Sequence, residues 1–592
     1  MFLRTVKAAG GKGVQHEYVR LVEAYREHGR NKQRVVCNLG RKDLLAAHLD
    51  ALVRLLRGES RATESVRAGQ VQATGAWDWG PMLVAQTLWR ELGLDRILER
   101  QGGRSGADGR ALADRALVLV ANRLCAPTSE HGLARWLETD FVCDRQGRRW
   151  VPEWRDDAER RASRLPRVRT TFRQLKQWYR TLDQLQARKP EIEQELYLRL
   201  RDLFSLKVDW VLYDLTSTYF EGQGPLRLGA HGHSRDGKPR NRQVLVGVVL
   251  VDGWPIAHHV FQGNWRDAQT VPDVLADLEQ RFGLRRAVFV GDRGMVTSDN
   301  LALVRARQQG YVVGLNRRRR EDVYRYIERA TGSWTECPVG MTAREKAEPP
   351  TTRVQEVPAD QPGVRVFIVH SDERLSYERT QRLKAMERVR AELEALERRV
   401  TAGKLKDPAK VGAAAARILA RHHGYRYYDW EYREGRFRFF EHPVNLKREE
   451  AYEGKYVIQT EEAHLTPVEA VRIYKELSEV ERAFCNLKDV IELRPIYHQT
   501  DERVAAHIFV AALAFLLHRT IEKKLKAASV DLSSTEALQV LRTVRVVEFT
   551  LGNGHTTRSV TRGVSRAARV LAALGITELD PPTPPQEAAT VV

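Results

Sequence analysis

The sequence predicts an α/β protein, with a mixed sheet at its centre, a helical module before it and an α+β insertion within it. Three observations carry this. From Trp77 to about Ser205 apolar residues recur at three- and four-residue spacing, as on helices. From Val208 the period shortens to that of strands, in the order strand, strand, strand, helix, strand, helix, strand. After Leu315 a long charged segment intervenes before a strong helix signal returns at Thr466.

Composition narrows the class. The chain has 592 residues, with 97 Lys+Arg against 77 Asp+Glu and a formal net charge of +20. That length suits about four domains or fewer. A hydrophobic share of 42% supports real cores and excludes a collagen, a disulfide scaffold or a mainly disordered chain. No run of 18 apolar residues occurs, which predicts no membrane-spanning helix. Met1–Gly13 lacks the apolar centre of a secretory signal, which predicts a cytoplasmic protein. The positive charge, mostly Arg, predicts a polyanionic partner, most simply nucleic acid. Arg-rich coding is the competing explanation. The five cysteines, Cys37, Cys125, Cys143, Cys337 and Cys485, form no C-x-x-C pair, which argues against a zinc ribbon. The pairs His231/His233, His258/His259 and His422/His423 lack a second ligand pair at zinc spacing.

In chain order, residues 1–60 form a small β-containing unit. His16–Val22 and Gln33–Gly40 alternate apolar and polar residues as half-buried strands do. Gly58–Gly75, rich in Gly, Ser, Thr and Gln, reads as a linker. Residues 76–205 read as a helical domain. Leu83, Leu88, Leu92 and Leu94 open it, Ala111–Leu124 is apolar, and Leu175–Phe204 is helical with a break at Pro190. The Arg-dense stretch Arg145–Arg169 makes this either a DNA-binding domain or a structural one with a solvated loop.

Residues 206–315 hold the first part of the sheet. Val208–Tyr213 is a short apolar strand ending at Asp214, Gln243–Val251 a second, and Trp254–Phe261 a third, joined to the second by an Asp252-Gly253 hairpin turn. A helix follows over Asp267–Phe282, then a strand at Arg286–Val290, a helix at Ser298–Gln309 and a strand at Tyr311–Leu315. Residues 316–460 read as the insertion. Met386, Val389, Leu393, Leu396 and Val400 alternate three- and four-residue steps, a coiled-coil-like stripe too short for a zipper and expected to pack within the chain. Residues 461–530 return to the core. Thr466 as N-cap, Pro467 in the first turn and Glu469 three residues on predict a capped helix running to about Val490. A second helix spans about Asp501–Lys526. In residues 531–592 the Pro-rich tail from Asp580 reads as disordered.

Three carboxylates stand out. Asp214 and Asp292 each follow an apolar strand, and in a sheet with the first and fourth strands adjacent they would lie side by side. Two such like charges need a hard cation to share a site. An Asp that merely starts a turn is the plainer reading. In the helix after Pro467, Tyr474, Glu481 and Lys488 recur every seven residues, on one face of a straight helix.

Here a resemblance enters. Tyr474 through Lys488 resembles the Y-(2)-R-(3)-E-(6)-K signature of bacterial insertion-sequence DDE transposases. Tyr213–Thr218 resembles the segment around the first catalytic Asp of that family, and Val290–Met295 the segment around the second. Gly263-Asn264-Trp265-Arg266-Asp267 with Thr270 matches the G-N-x-x-D-x-x-T stretch between them, and Leu493–His498 resembles the segment after the catalytic Glu.

The resemblance implies a ribonuclease-H-like core whose catalytic, metal-holding triad is Asp214, Asp292 and Glu481. The long interval before Glu481 fits branches with an inserted, partly β domain. It implies two Mg²⁺ ions about 4 Å apart, replaceable by Mn²⁺. The reaction implied is cleavage at element ends and strand transfer into target DNA. The partners implied are double-stranded DNA, both terminal inverted repeats and target, and a second copy of the chain in a dimeric DNA complex. Tyr474 and Lys488 are expected on end phosphates. Leu477 stands where the signature has Arg, which leaves Arg482 or Arg494 to substitute and a hairpin intermediate open. Asn264, Trp265 and Asp267 are expected to shape the site. Trp265 either stacks on an unpaired base or packs in its loop. Arg317, Arg318, Arg319 and Arg320 either track phosphates or form a solvated run. Two other readings remain: a nuclease of the same fold without strand transfer, and a DNA-binding derivative without catalysis.

Overall fold

A computed structural model describes residues 2–9, 15–27, 29–45, 71–102, 106–154, 172–206, 208–285, 287–316, 321–338, 351–551 and 556–582. The chain forms two compact units. One comprises Met1–Gly75 with Glu548–Arg558, the other Ala76–Val547 with Ser559–Val592.

In the first unit, β1 (Phe2–Ala9), β2 (Gln15–Glu27) and β3 (Arg30–Arg41) form an antiparallel sheet in sequence order. The two alternating runs read from the sequence lie in β2 and β3. The expected linker is corrected in part: Gln72–Gly75 begins strand β4 (Gln72–Asp78), and the stretch before Val71 lies outside the described residues.

The second unit begins with the helices Gly80–Glu91, Leu94–Gln101, Gly106–Cys125 and Leu133–Thr139, followed by Leu175–Ala187 and Lys189–Phe204. The break falls at Arg188, and Pro190 sits in the first turn of the next helix, where its missing N–H costs nothing. Arg145 pairs with Glu99 and Asp114, and Arg148 with Asp144, so the described start of the basic stretch is neutralised within the domain. These helices share one core with the Asp501–Ala527 helix. That helix is long and apolar enough to cross a membrane, but its apolar window is mostly buried inside the protein.

The main sheet has nine strands. β5 (Trp210–Tyr219), β6 (Gln243–Val251) and β7 (Trp254–Gln262) form an antiparallel meander, with the Asp252-Gly253 turn at φ 49° and 69° as an I′ hairpin requires. β8 (Val288–Gly291) pairs parallel with β5, and β9 (Tyr311–Gly314) parallel with β8. The helices Asp267–Gln280 and Ser298–Ala306 precede β8 and β9. The sheet then continues into the segment read as an insertion. β10 (Thr335–Glu336), β11 (Thr352–Val357), β12 (Arg365–Ser371) and β15 (Lys455–Thr460) extend it, in the order β10-β11-β12-β15-β9-β8-β5-β6-β7.

Between β12 and β15 lies a lobe of the helices Asp372–Thr401, Pro408–Arg421 and Pro443–Tyr452 and the hairpin β13 (Tyr428–Arg433)–β14 (Arg436–Glu441). Its core joins Val389, Leu393 and Leu396 of the predicted stripe to Val411, Ala415 and Phe437. The stripe is thus covered from within the chain.

The segment after Pro467 departs from expectation. Thr466 and Glu469 form the predicted capping box. The helix is then interrupted at Glu476, giving Pro467–Lys475, Leu477–Cys485 and a π-helical turn Asn486–Val490 in place of one straight helix. The third small sheet, β17 (Thr556–Val560), β16 (Arg545–Thr550) and β4, adjoins the helices Ser534–Leu541 and Ser565–Ala573 in sequence.

Candidate active site

The apolar run Trp210–Tyr213 makes β5 a buried strand, but β5 does not end at Asp214. Thr216, Ser217 and Thr218 are buried and pair with Val246, Leu245 and Val244 of β6. Only the parallel ladder with β8 stops there. Its last pair is Tyr213 with Gly291, so Asp214 and Asp292 are the next residues on two adjacent parallel strands. Neighbouring strands lie about 4.8 Å apart.

Asp214 accepts a hydrogen bond from its neighbour's backbone, Leu215 N to Oδ1 at 2.7 Å. Its carboxyl is nevertheless pushed up to about 7, first by burial, then by the charges of Asp292 and Glu481; the Leu215 N–H and the Arg235 guanidinium oppose the rise. Glu481, exposed on the Leu477–Cys485 helix, is therefore near enough for Asp214 to feel its charge. The helix packs through Leu477, Val480 and Phe484 and is tied to β5 by Trp210 Nε1, which donates to Glu476 Oε2 at 2.6 Å.

Tyr474 donates to Asp292 Oδ1 at 3.4 Å and stacks on Tyr456 with 5.8 Å between ring centroids. Burial, then the Asp292 charge, raises its hydroxyl pKa. Gly314 makes room for it: a Cβ there would overlap the Tyr474 hydroxyl.

The expected phosphate contacts divide. Lys488 Nζ and Arg494 Nη1 both bond Oδ1 of Asp236, Lys488 at 2.8 Å. Asp236 is 3% exposed and Lys488 9%. Arg494 also pairs with Asp489 at 2.5 Å. Arg482 is 62% exposed and pairs with Glu479 at 3.0 Å. Trp265 is half-buried and stacks on Phe261 at 5.5 Å. Leu477, in the place of the signature Arg, is buried. Arg317 to Arg320 lie outside the described residues.

Sequence reasoning missed Arg235 and Asp236. They sit in the long connection Phe220–Arg242 between β5 and β6, and that length, where a short hairpin would serve, was the available signal. Arg235 N donates to Ser217 Oγ at 2.9 Å, and Arg235 Nη2 reaches both oxygens of Asp267 at 2.8 Å. Asp267 of the G-N-x-x-D stretch is thereby engaged by a cation.

A second cluster also escaped the sequence. Glu130, His498 and His507 place ligand atoms within 4.8 Å of one another, all buried. Arg123 lies on His507 Nδ1 at 3.3 Å, and His507 Nε2 is 3.3 Å from the Leu493 carbonyl. Both ring nitrogens of His507 thus lie within hydrogen-bonding distance of other groups, one of them a buried guanidinium.

Asp214 and Asp292 thus stand side by side at the end of the β5–β8 ladder, and Glu481 is near enough for its charge to act on Asp214. Their hard oxygen donors and the raised Asp214 suit a divalent cation.

Comparison with known proteins adds to this geometry. Residues 3–69 match the N-terminal domain of the IS1634 family transposases, and residues 211–517 match the transposase DDE domain. No curated protein matches the chain. One similar solved structure is the piggyBac transposase synaptic complex with hairpin DNA, at 8% identity and a TM-score of 0.33, with 78% of this chain and 79% of that one covered. The DDE match spans more than half of the chain and includes Asp214, Asp292 and Glu481: the chain belongs to the DDE transposases of insertion sequences.

Proposed function

We propose that this transposase cuts DNA at the ends of its element and joins those ends to target DNA, with Asp214, Asp292 and Glu481 as its metal-holding triad. One observation carries the proposal. Asp214 and Asp292 follow the last pair of a parallel ladder, and Asp214 senses both other carboxylates. A ribonuclease-H-like core is supported by the order β7-β6-β5-β8-β9, antiparallel over the first three and parallel over the last two.

The three residues would hold two divalent cations, Mg²⁺ or Mn²⁺. Such ions, when bound, supply charge for in-line displacement at a phosphodiester by water or a DNA 3′-hydroxyl. The chain does the rest. Tyr474 steadies Asp292, Leu215 N–H fixes one oxygen of Asp214, and the Arg235 guanidinium offsets part of the negative charge. Exposed Arg482, next to Glu481, suits a terminal phosphate, as does exposed Arg293 next to Asp292. Lys488 and Arg494 would meet phosphate only at the expense of Asp236. The DNA is double-stranded, terminal repeats and target, and two copies of the chain would act on two ends.

The test is cleavage and joining of DNA carrying the element's inverted repeats, with Mg²⁺, for wild type and Asp292→Ala. Metal-dependent cleavage and joining, lost in a variant that still binds the ends, is expected. Cleavage without joining would reduce the protein to a nuclease. End binding without chemistry in either protein would sink the triad.

A further inference from the structure

No hydrogen bond or ion pair among the described residues holds the Glu481 side chain. Its position follows from its helix, and the helix is held at two places. On the N-terminal side Trp210 bonds Glu476, and Arg519 pairs with Glu479. Beyond its C-terminal end, in the π-helical turn, Lys488 bonds Asp236. Glu481 lies between these anchors.

Asp236 belongs to the β5–β6 connection, and the residue before it fixes that connection to the site. Arg235 bonds Ser217, three residues beyond Asp214 on the same strand, and Asp267, the first residue of the helix after β7. Two consecutive residues thus tie three parts together: the Arg235 backbone N–H holds the strand of Asp214, the Arg235 guanidinium the Asp267 helix, and the Asp236 carboxylate the segment that extends the Glu481 helix.

The pairing is a poor device for stability alone. A buried ion pair recovers little more than its desolvation cost. Here one oxygen, Oδ1, takes both cations, and Oδ2 is buried with no partner among the described residues. What such a pair secures is geometry.

We infer that Asp236, with Arg235 beside it, is a positioning residue that sets where Glu481 stands relative to Asp214. This rests on the reading of Asp214, Asp292 and Glu481 as metal-holding residues. Lys488 then serves the metal site through Asp236, as a strut between loop and helix.

The test is Mn²⁺ binding by the full-length protein, followed by the electron paramagnetic resonance signal of free Mn²⁺. End-DNA affinity without metal and the melting temperature are measured alongside. Asp236→Asn and Lys488→Met are each expected to weaken Mn²⁺ binding about ten-fold. The double variant is expected to be no worse than either single one, because they share one contact. End-DNA affinity stays within about two-fold, below the 1.4 kcal/mol that a ten-fold change represents. Arg494→Met, which leaves the Lys488–Asp236 bond in place, is expected to weaken Mn²⁺ binding by less and serves if Asp236→Asn does not fold. Unchanged Mn²⁺ binding in both Lys488→Met and Arg494→Met would overturn the inference. So would a Lys488→Met variant that loses end-DNA affinity and keeps Mn²⁺, since that places Lys488 on phosphate. Wild-type Mn²⁺ binding in Asp292→Ala would instead bring down the triad reading and this inference with it.

Discussion

The Tyr474 hydroxyl reaches Asp292 Oδ1 at 3.4 Å through the space that a side chain on residue 314 would fill. Position and chemistry of the second Asp are thereby coupled to the strand beside it. Tyr474→Phe removes the hydroxyl and keeps the ring on Tyr456. It is expected to slow DNA cleavage about ten-fold while costing about 1 kcal/mol of stability or less. Gly314→Ala forces the ring away and is expected to cost about 1–3 kcal/mol as well as activity. Denaturant melts and cleavage rates read the two effects separately; wild-type rates in Tyr474→Phe would make the hydroxyl idle.

Asp214 gives a pH dependence of definite sign. Its folded pKa, about 7, lies above the ordinary aspartate value of 3.8. Its contribution to stability is therefore full below about pH 3.8 and lost as pH rises through about 7. Metal-free wild type should lose melting temperature between about pH 4 and pH 7 relative to Asp214→Asn, with no further loss above that. Added Mn²⁺ should restore it in wild type alone. Parallel curves for the two proteins without metal would contradict this.

A buried network on β7 gives the opposite slope. Glu193 takes Lys189 at 2.9 Å, His258 at 2.8 Å and Arg281 at 2.7 Å. Burial, then the Lys189 charge, lowers His258 to about 4 and His259 to about 3. Both pKa values fall below the ordinary histidine value of 6.5, so the stability these groups contribute is present above pH 6.5 and lost as pH falls towards 4 and 3. Calorimetry on Asp214→Asn, which removes the competing carboxylate, should show a melting temperature falling from pH 6.5 to pH 4. A flat profile would mean that the two imidazoles are solvated.

Leu393 is fully buried in the lobe between β12 and β15, facing Val411 and Phe437 in one cluster. Leu393→Ala is expected to cost about 2–5 kcal/mol. The loss should appear in limited proteolysis of the Asp372–Thr401 helix. Unaltered proteolysis would mean that the stripe packs loosely.

Much of this was legible in the sequence where local chemistry decides. The strict turn at Asp252-Gly253, the apolar runs of β6 and β8 and the capping box at Thr466 each carry their own signal. What was hidden depends on partners distant in the chain. Thr216–Thr218 look like the start of a turn, yet β6 holds them in the ladder. Strand periodicity cannot name a neighbour, so the pairing of β15 with β9 was unreadable. The seven-residue spacing of Tyr474, Glu481 and Lys488 assumed one straight helix; with the interruption at Glu476, Tyr474 reaches Asp292, Glu481 stays exposed and Lys488 reaches Asp236. Asp236 itself reads as a loop charge until Lys488 and Arg494 are brought to it by the fold.

The lobe between β12 and β15 leaves and rejoins the sheet at almost one point, where Ser371 N donates to the Gly454 carbonyl at 2.9 Å. Its chain ends are thus already stapled together. The lobe is built like an appendage on a clip: a short turn between Ser371 and Gly454 could close the gap without disturbing β12 or β15, and a foreign module with neighbouring termini could take its place. The strands on either side offer no such freedom, since removing them would leave β9 with an open edge.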